Sequence, residues 1–291
     1  MISPRIGNPA IMTRRDGDTW DITEGVGRTA LGVATARAWE TASERPLFTD
    51  PYAQLFLDAT GDQGLELSPE RRRSITDYAA ARTKWFDDFF LSASAAGVSQ
   101  VVILAAGLDT RAWRLPWLSD SVIYEVDQPK VLSFKTSVLD TSDAQLSAKY
   151  MPVPVDLRDD WPHALRAAGF DHNEPTAWSA EGLLPYLSAA AQDRLFEQIG
   201  LYSARGSRIA VEAFSPAFFE PENVARYRER SGAPHELWYM EERTDVAAWL
   251  CAHRWDVTSI DAVDLMSRYH RAPASDDDPP ALSMFVEGRL L

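Results

Sequence analysis

The stretch VVILAAGLDTRAWRL, Val101 to Leu115, decides the fold. Its first four residues form an unbroken apolar run, the pattern of a strand buried on both faces. Ala105, Ala106 and Gly107 follow, and their small side chains let a ligand come close to the backbone. Asp109 and Thr110 come next, placed to meet polar ligand atoms or to cap a following helix. Arg111 and Arg114 read as surface or helix-face residues.

The same grammar repeats downstream. Short apolar runs recur in SVIYEVD, MPVPVDL, TAWSAEGLL, SRIAVEAF, WDVTSI and SMFVEGRLL, making seven strands with the first. Helical patterns separate them near Pro129 to Leu139, Asp160 to Ala168, Ser188 to Ala204 and Thr244 to His253. In the third of these helices Leu195, Ile199 and Tyr202 form an inner face. Strands alternating with helices imply parallel pairing and right-handed crossovers, hence a doubly wound, mostly parallel α/β sheet of seven strands.

Upstream of Val101 the chain reads as helical. Residues 1–18, with Pro4, Gly7, Pro9 and Gly17, read as a flexible arm, and residues 19–291 as a single domain whose N-terminal helices occupy 19–97. Asp50-Pro51 supplies a cap and a first-turn proline for a short helix. A longer helix runs from Pro69 to Ala96, with Ile75, Tyr78, Trp85, Phe86, Phe89 and Phe90 recurring at helical spacing. Arg82 interrupts that stripe, and burying a guanidinium is costly unless something negative meets it.

Composition narrows the function. The chain has 291 residues, 45% hydrophobic and 25% charged, as in an ordinary globular protein. Its net charge of -14 repels phosphate backbones and anionic lipid, so nucleic acid is not expected as a partner. The lone cysteine, Cys251, reads as a small buried thiol in a helix. Five histidines without metal-ligand spacing give no support for a metal site. No apolar run of signal-peptide or membrane-spanning length is present, so the expected location is the cytoplasm, without membrane insertion.

In open α/β sheets ligands bind beyond the carboxyl ends of the strands, where the strand order switches. The second strand ends at Asp127, twenty residues after Gly107, a spacing suited to a carboxylate that accepts from both ribose hydroxyls. The third ends at Asp156-Leu157, where an acid and an apolar side chain suit an adenine amino group and ring. The fourth ends at Glu181-Gly182. A dinucleotide would want a glycine-rich phosphate turn, whereas AAGLDTR has one glycine and places Asp109 where a phosphate would be repelled. S-adenosylmethionine suits this set better, with Arg82 pairing in a bidentate way with its carboxylate. Each residue alone reads better as a cap or salt bridge; their common placement at one sheet edge favours a site.

These residues also carry a resemblance. RTKWFDDFF, QVVILAAGLDTRAWRLPW, YEVDQP, PVDLR and EGLLPYL, in that order, resemble the signature segments of the leucine carboxyl methyltransferase-like family, in particular its actinobacterial branch of S-adenosylmethionine-dependent methyltransferases. The resemblance runs from Asp21 to the C-terminus. It implies a class I methyltransferase fold with a helical lid, here the aromatic-rich insert 215–243. It also implies cofactor roles for Arg82, Ala105, Ala106, Gly107, Asp127, Asp156 and Leu157, with Glu181 near the methionine amino group or sulfonium.

The expected reaction is methyl transfer to a carboxylate or hydroxyl of a small, partly apolar acceptor, lipid-like or polyketide-like. A carboxylate acceptor needs no base. A hydroxyl would need one, and His235, Tyr239 and Tyr186 are candidates, though packing accounts for each. The aromatic residues Phe214, Phe218, Phe219, Trp238, Tyr239, Trp20 and Trp39 read first as lid core and second as acceptor pocket. Two other readings stand beside this one: a cofactor-binding sensor without turnover, and a nicotinamide-dependent oxidoreductase.

Overall fold

A computed structural model describes residues 25–61, 67–230, 238–272 and 282–291. The arm, Trp20, His235 and the loop 273–280 fall outside those residues. The strands are β1 (Gln100–Leu104), β2 (Val122–Asp127), β3 (Lys149–Pro154), β4 (Thr176–Ala180), β5 (Arg208–Phe214), β6 (Trp255–Asp261) and β7 (Ser283–Leu290). They form one sheet in the order β3-β2-β1-β4-β5-β7-β6. The first five pair in parallel, while β7 runs antiparallel to both β5 and β6. The order turns back at β1, which pairs with β2 on one side and β4 on the other, so a crevice opens beyond its carboxyl end.

Strand β1 is buried along its whole length, as its unbroken apolar run requires. Alternate residues feed two cores. Val101 and Ile103 face the helices α1 (Gly25–Thr41), α2 (Ala53–Thr60) and α3 (Pro69–Ala95), where Phe56, Phe86 and Phe90 are wholly buried. Val102 and Leu104 face the other core, which centres on Trp178 with Trp161 of α6 (Trp161–Ala167) and Phe196 of α7 (Ala189–Leu201). Each fully buried aromatic or branched side chain stabilises the fold by about 1.5–3 kcal/mol.

The long helix begins as its sequence dictates. Ser68 is extended and accepts the amide of Arg71, with Pro69 in the first turn. Two details depart from expectation. Helix α2 starts at Ala53, and Asp50 caps it from outside, accepting the amides of Tyr52 and Ala53. Cys251, in α9 (Val246–Ala252), is exposed: the buried stripe of that short helix passes through Val246 and Leu250 and leaves the thiol on the solvent side.

The remaining helices are α4 (Arg111–Arg114), α5 (Pro129–Asp140), α8 (Pro221–Arg230) and α10 (Ala262–Arg268). No helix among the described residues is long and apolar enough to cross a membrane. The described residues also contain no cluster of side chains able to hold a metal ion.

Candidate functional site

The exit of β1 is held in an unusual backbone conformation. Ala105 has φ +53° and Gly107 φ +52°, both in the left-handed region. Glycine tolerates this freely, whereas alanine is strained by about 1–2 kcal/mol. Such strain persists where the surroundings enforce it, and it collects at functional sites. The enforcing contacts are visible. Gly107 N donates to Asp127 Oδ2 at 2.6 Å, Ala106 N donates to Val126 O at 3.2 Å, and a Cβ on Gly107 would stand 3.4 Å from Ala30 of α1.

Asp127 accepts a second amide, that of Gln128, on Oδ1 at 2.6 Å. Each carboxylate oxygen therefore retains acceptor capacity. Burial raises its pKa against the lowering effect of the two amides. Asp156 accepts from Gln128 Nε2 at 2.9 Å and pairs with Arg158 Nη2 at 2.7 Å. Leu157 is half-buried against the core that holds Trp178. The ends of β1, β2 and β3 thus come together through Gly107, Asp127, Gln128 and Asp156.

Across the crevice, the end of β4 meets α3. Arg82 Nε lies 3.0 Å from Glu181 Oε1, and Arg82 Nη1 donates to Glu212 Oε2 at 3.2 Å. Nη2 makes no hydrogen bond to any described residue. Nη2 keeps two N–H donors and Nη1 a second one, so the guanidinium still has donors to offer a ligand.

Arg111 and Arg114 are not on the surface. Arg111 is 2% exposed; its Nε donates to Asp87 at 2.7 Å, and its Nη1 bonds Asp109 and reaches Glu181 at 2.9 Å. Arg114 holds both oxygens of Asp87 at 2.6 Å. The physical reason is Asp87, a carboxylate buried in the aromatic run of α3, which would be strongly destabilising without cationic partners.

Asp109 is likewise turned inward. Burial would raise its pKa, but Arg111, Lys135 and Arg114 outweigh that and hold it below the usual carboxylate range. Its charge is therefore balanced by buried cations and does not stand bare toward a phosphate. It braces the loop after β1.

Two further residues escaped the sequence reading. Glu212 of β5 accepts from Tyr78 and Arg82 and from Gly182 N. Arg37 of α1 bonds Asp50 at 2.9 Å and the Leu108 carbonyl at 2.6 Å, while Thr110 bonds the same carboxylate at 2.8 Å. A signal existed for Glu212, a charge near the end of the apolar run RIAVEAF. None existed for Arg37, which lies far from the loop it holds.

Beyond β5 lie the aromatic residues of the insert. Phe214 stacks on Phe218 with centroids 4.0 Å apart, and Tyr227 stacks on Trp238 at 5.2 Å. Arg243 donates to the carbonyls of Leu184, at 2.7 Å, and Tyr239, and Tyr239 N donates to Pro185 O at 2.9 Å. The far leg of the insert is thereby fastened to the turn after β4. Tyr186 in that turn donates to Thr29 Oγ1 of α1 at 3.2 Å.

The family model described as "Leucine carboxyl methyltransferase" matches residues 30–200, more than half of the chain. The chain belongs to this family. A relative in Mycobacteroides abscessus, named "Putative S-adenosyl-L-methionine-dependent methyltransferase", is 51% identical to this family member over 94% of the present chain and 98% of its own. Another of that name, in Mycobacterium avium, is 49% identical over 95% and 96%. Among solved structures, a protein of Streptomyces avermitilis is similar with TM-score 0.52 and 18% identity, over 89% of this chain and 97% of its own. One of Thermobifida fusca gives TM-score 0.51 and 17% identity, over 89% and 94%. These two likenesses concern the fold, a mostly parallel seven-stranded sheet with flanking helices.

Proposed function

We propose that the chain methylates an oxygen, of a carboxylate or hydroxyl, on a small and partly apolar acceptor. The chain is an S-adenosylmethionine-dependent methyltransferase, so the cofactor brings an electrophilic methyl group on sulfur. What the protein contributes is alignment and exclusion of water.

The residues present fit that cofactor. The strained, small-residue exit of β1 gives close approach to backbone from Ala105 to Gly107. Asp127 is buried yet keeps acceptor capacity on both oxygens, as a ribose diol requires. Asp156 and Leu157 are read as the adenine contacts, and Arg82 Nη2, without a partner among the described residues, as a donor for the carboxylate. Four carboxylates, Asp87, Asp109, Glu181 and Glu212, share this region with three guanidiniums, those of Arg82, Arg111 and Arg114. The surplus negative charge suits a ligand ammonium near Glu181. Asp109 serves by shaping the loop.

The observation that carries the acceptor reading is the aromatic insert. Phe218, Phe219 and Trp238 of the insert cluster around Phe214 at the end of β5, and Arg243, over Phe214 and Phe219, is spent on backbone carbonyls. Such a wall favours an apolar body, with residues 215–243 acting as a lid and the rest of 19–291 as one domain.

Incubation with methyl-labelled S-adenosylmethionine and a metabolite extract tests this. Label recovered as methanol after mild alkali identifies a methyl ester; label on nitrogen or carbon would refute oxygen transfer. On the cofactor side, Asp127→Asn removes the charge and should weaken S-adenosylhomocysteine binding about tenfold or more by calorimetry, since hydrogen bonds to charged groups contribute about 1.5–3 kcal/mol.

A further inference from the structure

Glu212 stands at the meeting of three elements. It is the fifth residue of β5, one beyond the last position paired with β4, Val211 opposite Ala180. Strand alternation turns it toward α3. Its side chain is only 11% exposed. Oε1 accepts from the Tyr78 hydroxyl, and Oε2 accepts from Arg82 Nη1 at 3.2 Å and from Gly182 N at 2.8 Å. Tyr78 is fixed in turn by Ser283 of β7 at 3.0 Å.

The arrangement is specific in two respects. First, Gly182 has φ +63°, and a Cβ there would lie 3.8 Å from Arg82 Nη1 and 3.9 Å from Glu212 Oε2. The turn after β4 is thus packed directly on the pair. Second, Glu181 Oε1 lies 3.0 Å from Arg82 Nε as a charge neighbour, while the hydrogen bond that orients the guanidinium is the one from Nη1 to Glu212 Oε2 at 3.2 Å. Among the described residues Nη2 has no hydrogen-bond partner. A planar fork bonded to one carboxylate and flanked by another has less freedom to swing about its long stem.

We infer that Glu212 is a positioning residue for the amino-acid end of the cofactor: it orients Arg82 and the Gly182 turn together, without touching the nucleoside end. This rests on the reading that Arg82 receives the cofactor carboxylate. Glu212 lies on the opposite side of β1 from Asp127 and Asp156, separated from them by strands β4 and β1. Its influence should therefore divide a ligand into two halves.

Two probes make that division measurable. S-adenosylhomocysteine carries the amino-acid end, whereas 5′-methylthioadenosine keeps the nucleoside and sulfur but ends in a methyl group. Glu212→Gln should weaken the first about tenfold, the scale of one charge-assisted hydrogen bond, and leave the second within about twofold. Arg82→Ala should do the same. The double variant should bind S-adenosylhomocysteine no worse than Arg82→Ala alone, because Glu212 acts through Arg82.

The failures are separable. Arg82→Ala with unchanged S-adenosylhomocysteine affinity overturns the carboxylate assignment. A weakened Arg82→Ala beside an unchanged Glu212→Gln overturns the role of Glu212 alone. Equal loss for both probes in Glu212→Gln marks general loosening and also overturns it. Tyr78→Phe gives a second route if Glu212→Gln does not fold: it removes one donor to Glu212 without leaving a buried charge unpaired, and it should shift the ratio of the two affinities in the same direction by about two- to threefold.

Discussion

Glu125, two residues before Asp127 on β2, is wholly buried, as is Lys135 of α5, and the two form an ion pair. Tyr150 donates to the same carboxylate at 2.7 Å, and Lys135 also donates to the Asp109 carbonyl at 3.2 Å. The pair braces the loop after β1 from beneath. Burial, opposed by Lys135, pushes the Glu125 carboxyl up from 4.5 to about 7. The folded protein therefore holds this proton more tightly than the unfolded chain, and the stability it contributes is lost as pH rises from 4.5 toward about 7. Replacing both partners, Glu125→Gln with Lys135→Met, removes that dependence. The variant should gain on the native chain across this window, by roughly 3 kcal/mol at most, given about 1.4 kcal/mol per pKa unit. Parallel melting temperatures from pH 4.5 to 7 would refute the assignment. This brace was illegible in sequence, as were Arg37 and Arg111, because a buried charge declares itself only through a partner distant in the chain. Asp127 and Asp156 were legible for the opposite reason: position at a strand end can be counted.

At the level of elements, Asp50 ties α1 and α2 to the loop after β1, beside the bond from Arg37 to the Leu108 carbonyl. Asp50 takes Arg37 from α1 and Thr110 from the loop, and it caps α2. Asp50→Ala would strand the buried Arg37 guanidinium. A loss of about 3–5 kcal/mol in urea unfolding is expected, and a loss below 1 kcal/mol would show the junction to be loose. The strands and long helices were readable from apolar runs, alternation and caps. Helix α4 was not, since four residues are too few to form a helix alone; Arg111 and Arg114 hold it there through Asp87, Asp109 and Glu181. The antiparallel direction of β7 also left no mark, because an apolar run reads the same either way.

For the whole molecule, one ligand would span the ends of four strands and the helix above them. Binding to the folded state alone stabilises it, so S-adenosylhomocysteine at a hundred times its dissociation constant should add about 2.7 kcal/mol and raise the melting temperature by roughly 5 °C. No shift at saturating ligand would mean the site does not bind it. With a net charge of -14, the same protein should show no comparable stabilisation by polyanions.

The sheet order carries a consequence for synthesis. Strand β6 lies at the edge and pairs with β7, yet β7 is made after it and must enter between β6 and β5. Until then the outer side of β5, with Ile209 and Val211, has no neighbour, and Tyr78 lacks Ser283 beneath it. On the ribosome the nascent chain must therefore carry an open, sticky edge until β7 emerges.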